Sequence, residues 1–236
     1  MPKVDGWTIL DRIAGDCRLC RAPAGADGLC DGCRTELPWL ETGCPRCALP
    51  LPAGHAGPCG ECLADPPAFD RALIPFRYRP PLDHLVAGLK FHARLAEARL
   101  LGTWLGEHAR RQGTRAERLL PLPLHPDRLR ERGFNQAAEL CRAAARGAGL
   151  PWSLGGLRRV KPGAPQREAK RRERLRRMRG AFAWQGNRPP PARVALVDDV
   201  LTTGATARAA AAALKAAGAE WVEIWAVART PRPGES

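Results

Sequence analysis

The sequence predicts an α/β protein, a parallel sheet behind a small cysteine-rich N-terminal module. Three observations carry this. From residue 68 onward, short apolar runs alternate with helical patterns. One run, within residues 194–206 (VALVDDVLTTGAT), ends on two adjacent acids and passes through small residues into an alanine-rich helix. Eight of the nine cysteines fall in four CxxC pairs within residues 17–62.

A short helix over 4–13 lets Trp7, Ile9, Leu10 and Ile13 share a face. The cysteine module runs to residue 63, and ADPP at 64–67 reads as a linker, dividing the chain into 1–66 and 67–236. Residues 68–78 read as extended until Arg79-Pro80-Pro81 breaks them. Residues 82–90 and 93–111 are helical, with Leu95, Ala98, Leu101 and Leu105 at 3.6-type spacing. A strand over 119–124 precedes a helix over 134–146, punctuated by Gly147 and Gly149. Residues 157–160 and 181–184 are short strand candidates, and 187–192 is a Pro-rich loop. A strand over 193–197, a helix over 205–217 stopped by Gly218, and a strand over 221–228 complete the pattern.

A length of 236 residues allows one domain of about 150 residues and a small appendage. Hydrophobics at 44% and charges at 26% are those of an ordinary globular chain. The N-terminus has acids inside its apolar stretch, which argues against a signal peptide. No apolar run approaches the roughly 20 residues of a membrane helix, so a cytoplasmic protein without membrane insertion is expected. Net charge is +14 but uneven. Residues 1–70 hold 6 basic and 10 acidic side chains, net −4; residues 71–236 hold 32 and 14, net +18. The second part is expected to meet an anion, a phosphorylated small molecule or nucleic acid. An Arg-rich composition, with only five Lys among 38 basic residues, tempers that inference, so clustering counts for more than the total.

The cysteine pairs are Cys17/Cys20, Cys30/Cys33, Cys44/Cys47 and Cys59/Cys62, separated by gaps of nine, ten and eleven residues. A CxxC thiolate pair grips one face of a tetrahedral ion, and two pairs complete a four-thiolate site. Two structural Zn²⁺ ions are therefore expected, with disulfides or a redox role as weaker readings. Pairing can be sequential or cross-braced. His55 sits in a Gly-rich loop between ligands, and Cys141 reads as a buried small apolar residue.

At 194–206 the strand would end at Asp198 and Asp199. The small residues that follow let the backbone wrap, and the next helix offers unpaired N–H groups and a positive dipole end. That is a phosphate cradle. Two carboxylates beside it suit vicinal hydroxyls, so the ligand implied is a ribose 5-phosphate group. An ordinary strand–turn–helix is the plain alternative. The segment resembles the phosphoribosyl-pyrophosphate (PRPP) motif of type I phosphoribosyltransferases. HPDRLRERGFNQ, residues 125–136, follows another strand and presents Arg128, Arg130 and Arg132, then Gly133, Asn135 and Gln136. Read as a loop at a strand's carboxyl end, it is placed for a second anion, a pyrophosphate, unless its arginines are merely solvated.

His125-x2-Arg128-x3-Arg132-Gly-Phe-Asn-Gln also resembles a signature of the ComF family, proteins with a double zinc ribbon and a phosphoribosyltransferase-like domain linked to bacterial competence. CPRCALPLP at 44–52, CGECLADPPAFDRALIPFRY at 59–78, Leu89-Lys90-Phe91 and the GAF at 180–182 are similar to that family too. The resemblance implies a type I phosphoribosyltransferase-like sheet. It implies that Asp198 and Asp199 bind the PRPP ribose hydroxyls, with Mg²⁺ as an intermediary. Thr202, Thr203, Gly204, Ala205 and Thr206 would hold the 5-phosphate, and Arg128 and Arg132 would lie near the pyrophosphate. The implied chemistry is displacement of pyrophosphate from the anomeric carbon by a nitrogen nucleophile. Implied partners are PRPP, single-stranded DNA and a competence helicase.

The chain also departs from the patterns it resembles. Thr202 stands where some purine-salvage transferases carry a base-assisting acid, which argues against that activity. Arg167, Ala169 and Arg177 replace Thr, Leu and Asn of the family pattern, and Ala93 replaces a usual Gly. From residue 158 to 179, eleven of 22 residues are basic and two acidic. Arg171, Arg172, Arg174 and Arg176 would belong to a flap closing over PRPP or to a nucleic-acid contact; a solvated loop is the plain reading. Aromatics are scarce there, so base stacking would fall to Phe134, Trp152 or Trp184. Two functions follow: a PRPP-binding protein tied to DNA uptake through single-stranded DNA, or an active phosphoribosyltransferase of base or nucleotide salvage with no DNA role.

Overall fold

In the computed structural model, which describes residues 15–25, 27–161 and 178–232, the elements begin with α1 (Asp31–Thr35) and α2 (Gly60–Ala64) in the cysteine module. Then come β1 (Arg71–Leu73), β2 (Phe76–Arg77), α3 (Leu82–His92), α4 (Leu95–Arg111) and β3 (Arg118–Pro121). The chain continues through α5 (Pro126–Arg132), α6 (Gln136–Ala148), β4 (Leu157–Arg159) and β5 (Phe182–Trp184). It ends with β6 (Arg193–Leu201), α7 (Ala205–Ala216) and β7 (Trp221–Arg229). The helix expected over 4–13 lies outside the described residues, as do Arg167, Ala169, Arg171, Arg172, Arg174, Arg176 and Arg177.

The sheet is parallel, in the order β1–β7–β6–β3, with β2 also running beside β7. β6 and β7 are its centre. Nearly every residue of both is buried, as expected of parallel strands covered on two faces. Alternate residues serve alternate layers. Ala195, Val197, Trp225 and Val227 pack with α4 and α6, through Leu101, Leu105 and Leu140. Val194, Leu196, Val222 and Ile224 pack with α7, through Ala210, Ala211 and Leu214. The α/β class and the parallel sheet are as expected. β4 and β5 pair separately as an antiparallel hairpin.

Two local outcomes differ from the sequence reading. β6 does not stop at the acids. It pairs with β7 up to Leu201↔Arg229, because β7 runs alongside and supplies the ladder. Residues 125–136 are not a loop. They hold α5, capped by His125 Nδ1 accepting from Asp127 N at 3.3 Å, with Pro126 in its first turn and a left-handed Gly133 at its end.

The contact between α4 and α6 is unusually close. A Cβ on Gly106 would overlap the Ala144 carbonyl, so only glycine lets the two backbones meet there. Glu223, fully buried in β7, is satisfied by Thr114 Oγ1 (2.6 Å), Arg115 N (3.0 Å), Trp221 Nε1 (3.2 Å) and Trp225 Nε1 (2.8 Å).

The cysteine module straddles the β1–β2 edge. Cys17, Leu29 and Leu37 join the core on the α4/α6 side, whereas Cys44, Cys47, Cys59 and Cys62 join the core on the α7 side. Backbone bonds Leu40 N to Pro75 O and Arg77 N to Pro38 O, both 2.8 Å, fasten the module at β2. An edge that would otherwise offer unpaired backbone groups is covered.

Candidate anion site and metal centres

The cysteines form two clusters in sequential order. Cys17, Cys20, Cys30 and Cys33 make one, and Cys44, Cys47, Cys59 and Cys62 the other; within each, the sulfurs lie within 4.8 Å of one another. The cross-braced arrangement is thereby excluded. His55 is exposed and belongs to neither cluster, and Cys141 is buried alone in α6.

Both clusters fit Zn²⁺ by their donor chemistry. Burial opposes ionisation of Cys17, but backbone N–H groups of Cys20, Cys30 and Leu19 outweigh it and bring the thiol down to about 6. Cys44 behaves alike: burial is outweighed by the N–H groups of Cys59, Cys47 and Arg46, and the thiol falls to about 7. The Cys59 N–H stands 3.2 Å from Cys44 Sγ. N–H groups aimed at sulfur suit thiolates held on a cation. Burial pushes Cys62 up, with its cysteine neighbours adding, so without a cation the four sulfurs cannot all ionise.

The acid pair lies on β6, with Asp198 opposite Ala226. Asp199 is 4% exposed and its two oxygens are both engaged. Lys90 Nζ, from the end of α3, lies 3.0 Å from Oδ1, and Gln136 Nε2 donates to Oδ2 at 3.1 Å. Arg132 donates to Gln136 Oε1 at 2.7 Å, so Arg132, Gln136, Asp199 and Lys90 form one chain. Asn135 fixes the start of α6: its side chain caps Ala137 N and donates to Leu122 O at the end of β3. Asp198 Oδ1 accepts from Asp199 N at 2.8 Å, and among the described residues no hydrogen bond reaches its Oδ2. Burial pushes Asp198 up to about 7; Asp199 adds to this, while the Asp199 N–H, Lys90 and Arg159 oppose it.

Arg159 enters from the β4–β5 hairpin. Burial pulls its guanidinium below the usual arginine range, the nearby charge of Arg128 pulls further, and Asp198 opposes. Arg128, Arg159 and Asp198 are thus electrostatic neighbours. Arg128 also pairs with Glu131 at 2.9 Å. Of the predicted pyrophosphate residues, Arg132 joins the acid network, whereas Arg128 pairs with Glu131 and reaches Arg159 through its charge.

The turn after β6 brings Thr202, Thr203, Gly204, Ala205 and Thr206 to the start of α7. Thr203 Oγ1 accepts from Ala205 N at 3.4 Å. Gly204 takes φ +74°, and a Cβ built there meets no atom within 4 Å, so the backbone is open to a ligand. An open turn on the first residues of a twelve-residue helix can receive an anion. The acid pair fits Mg²⁺ in part. Asp199 has both oxygens occupied, so among the described residues Asp198 Oδ2 is the carboxylate atom left for a hard cation, which ordinarily adds ligand phosphate oxygens to one or two carboxylates.

The sequence does not mark Lys90 or Arg159 as a site residue. Lys90 belongs to the Leu89-Lys90-Phe91 motif and Arg159 to the basic cluster, but neither position signals a contact with the acids. Arg229 carries no sequence signal at all. Its side chain donates to the carbonyls of Leu201 and Thr202 in the turn.

A parallel α/β sheet carrying an acid pair and an open turn at a strand's carboxyl end, beside two four-cysteine zinc-ribbon-like sites, defines the class of this protein. The double zinc ribbon domain matches residues 13–63. The chain is 36% identical over 226 residues to the DNA utilization protein YhgH of Escherichia coli (strain K12), covering 92% of this chain and 98% of that one. It is 33% identical over 210 residues to competence protein F of Haemophilus influenzae, covering 86% and 91%. Identity to competence protein ComFC of Streptococcus pneumoniae is 26% over 202 residues, covering 85% and 87%. The chain belongs to the ComF family of these DNA utilization and competence proteins. Among solved structures, a glutamine PRPP amidotransferase from B. subtilis aligns with 52% of this chain and 25% of its own, at 21% identity and TM-score 0.35. The protein TT1426 from Thermus thermophilus aligns with 57% and 84%, at 22% identity and TM-score 0.34. The fold itself is defined by the strand order and register.

Proposed function

We propose that this chain binds PRPP with Mg²⁺ at the β6–α7 turn and handles single-stranded DNA in DNA uptake, as a cytoplasmic protein working beside a competence helicase. The observation that carries the PRPP half is the open turn at Gly204, directly after the acid pair. Asp198 would hold Mg²⁺ and the ribose hydroxyls, with Asp199 anchored behind it. Thr202, Thr203, Gly204, Ala205 and Thr206 would receive the 5-phosphate. Arg128, Arg132 and Arg159 would face the pyrophosphate. The DNA half is supported by the names of the relatives and by an exposed aromatic. Phe91 is 72% exposed and lies beside Lys90, His92 and Arg94. Phe134, Trp152 and Trp184 are half-buried against the cores, so stacking on bases is assigned to Phe91 instead. We take residues 1–66 as the double zinc ribbon and 67–236 as the phosphoribosyltransferase-like domain.

Calorimetric titration with PRPP and Mg²⁺ tests the reading, and Asp198→Asn with Asp199→Asn should abolish binding. A charge-assisted contact of about 1.5–3 kcal/mol from Asp198 is at stake, together with the Lys90 and Gln136 contacts that anchor Asp199. Equal affinity in the double variant sinks the assignment. A second reading, an active transferase of base or nucleotide salvage, is favoured by the charges of Arg128 and Asp198 both acting on Arg159, which would put two cations within electrostatic reach of a leaving pyrophosphate. Pyrophosphate release with a panel of bases, at rates independent of DNA, would select it.

A further inference from the structure

We propose that the second zinc site sets the shape of the phosphate-binding turn, with Arg229 as the positioning residue that joins them; the inference rests on the phosphate reading of that turn. Arg229 closes β7 and is 5% exposed. Its Nε donates to the carbonyl of Cys47, a residue of the second cluster, at 3.1 Å. One of its terminal nitrogens donates to the carbonyls of Leu201 at 2.8 Å, Thr202, and Thr230 at 2.9 Å. One rigid guanidinium therefore spans the metal knuckle and the beginning of the turn. A planar fork cannot follow one acceptor without disturbing the others.

The geometry has a direct consequence for the ligand. Each peptide unit is planar and trans, so holding the carbonyls of Leu201 and Thr202 fixes the opposite-facing N–H groups of Thr202 and Thr203. Those amides belong to the turn that would meet the phosphate. A second strut runs parallel. Arg208 on α7 donates to Asp65 Oδ2 at 3.0 Å and to the Asp65 carbonyl at 2.7 Å, shortly after the ligand Cys62. Between the struts lies a narrow cleft lined by Cys47, Cys62, Phe69, Thr203 and Gly204.

Charge points the same way: the guanidinium of Arg229, 5% exposed, is a buried cation placed against the Cys47 knuckle. A Zn²⁺ ion on four thiolates is net negative and would offset the buried cation. When that ion is lost the thiolates take up protons, which removes the counter-charge and loosens the knuckle together. The first cluster packs on the other face of the sheet, and no hydrogen bond among the described residues joins it to the turn.

The test uses the full chain as wild type, Arg229→Lys, Arg208→Gln and Cys59→Ser. Zinc content, amide exchange of residues 200–206 and calorimetric affinity for PRPP with Mg²⁺ are measured. Arg229→Lys should bind PRPP about tenfold more weakly and exchange faster at 202–206, with two zinc ions retained. Cys59→Ser should lose one zinc and show the same faster exchange. Arg208→Gln, which keeps a polar amide at a side chain 13% exposed, should show a smaller increase and decides the matter if the fully buried variants do not fold. Wild-type exchange in these variants would overturn the coupling. If the wild type itself binds no PRPP, the phosphate reading fails, while the exchange measurements still judge the coupling.

Discussion

Lys90 Nζ lies 3.0 Å from Asp199 Oδ1, tying the end of α3 to the acid pair of β6. Asp199 is buried and its other oxygen accepts from the neutral Gln136 amide, so among the described residues Lys90 is the cation paired with this carboxylate. Lys90→Met would leave a buried charge without a cationic partner, at a cost on the order of 2 kcal/mol given the partial exposure of Lys90. Urea unfolding at pH 7 should show that loss, and calorimetry should show weaker PRPP–Mg²⁺ binding. Unchanged unfolding would mean that Gln136 alone supports Asp199.

The two zinc sites differ in exposure. Cys20 in the first is exposed, whereas all four sulfurs of the second come from buried residues. A chelator or oxidant must reach sulfur to remove the ion, so release should be biphasic, the first site emptying early. Elemental analysis should give about two Zn²⁺ per chain, unchanged in Cys141→Ser. A single release phase, or less than one zinc in protein purified without chelator, would contradict the two-site account.

The four CxxC pairs and the DD-x-x-TTG run are legible in the sequence because their chemistry lies in adjacent residues. The buried β6 and β7 are legible as apolar runs. The Lys90–Asp199 and Arg229–Thr202 contacts are not, because they join segments brought together only by the fold. α5 escapes a sequence reading because Arg128, Arg130 and Arg132 crowd a segment without an apolar stripe, although Pro126 and Gly133 mark its two ends. The continuation of β6 through its acids is hidden because Asp disfavours strands, and only the neighbouring β7 overrides that preference.

Gly106→Ala should be destabilising out of proportion to one methyl group. The new Cβ would meet the Ala144 carbonyl in α6, a backbone atom that cannot rotate away. Helix propensity alone would favour alanine by roughly 1 kcal/mol. Overpacking ordinarily costs about 1–3 kcal/mol, so the net sign tests the closeness of the helices. A raised thermal midpoint would show that α4 and α6 can separate without penalty.

His108 should make the protein acid-sensitive. Burial in α4, helped by the charges of Arg111 and Arg71, pulls its imidazole down from 6.5 to about 4. The unfolded chain therefore takes up this proton first. Stability is full above pH 6.5 and is lost as pH falls from 6.5 towards 4, by about 3 kcal/mol if the shift is fully expressed. His108→Gln should flatten that part of the profile in urea titrations at about pH 7 and about pH 4.5. A variant with the same slope as the wild type would assign the acid sensitivity to other groups.

Phe91 and the basic cluster should affect single-stranded DNA binding in different ways. An exposed ring stacks on a base whatever its identity, and truncation costs about 1–3 kcal/mol per stacked base. Phe91→Ala should therefore weaken DNA binding by about 5- to 150-fold while leaving its salt dependence unchanged, since no phosphate contact is lost. Neutralising Arg171, Arg172, Arg174 and Arg176 should do the opposite. Each lost phosphate contact removes about 0.7 from the slope of log K against log salt, so binding should weaken across all sequences and the slope should flatten. Fluorescence anisotropy with an oligonucleotide at about 50–300 mM salt, a range that resolves such slopes, separates the two effects. If the cluster instead closes over the small ligand, the arginine variant will lose PRPP affinity and keep both its DNA affinity and its slope. A Phe91→Ala protein that binds DNA as tightly as the wild type would leave the exposed ring without a nucleic-acid role, and the DNA half of the proposal would then rest on charge alone.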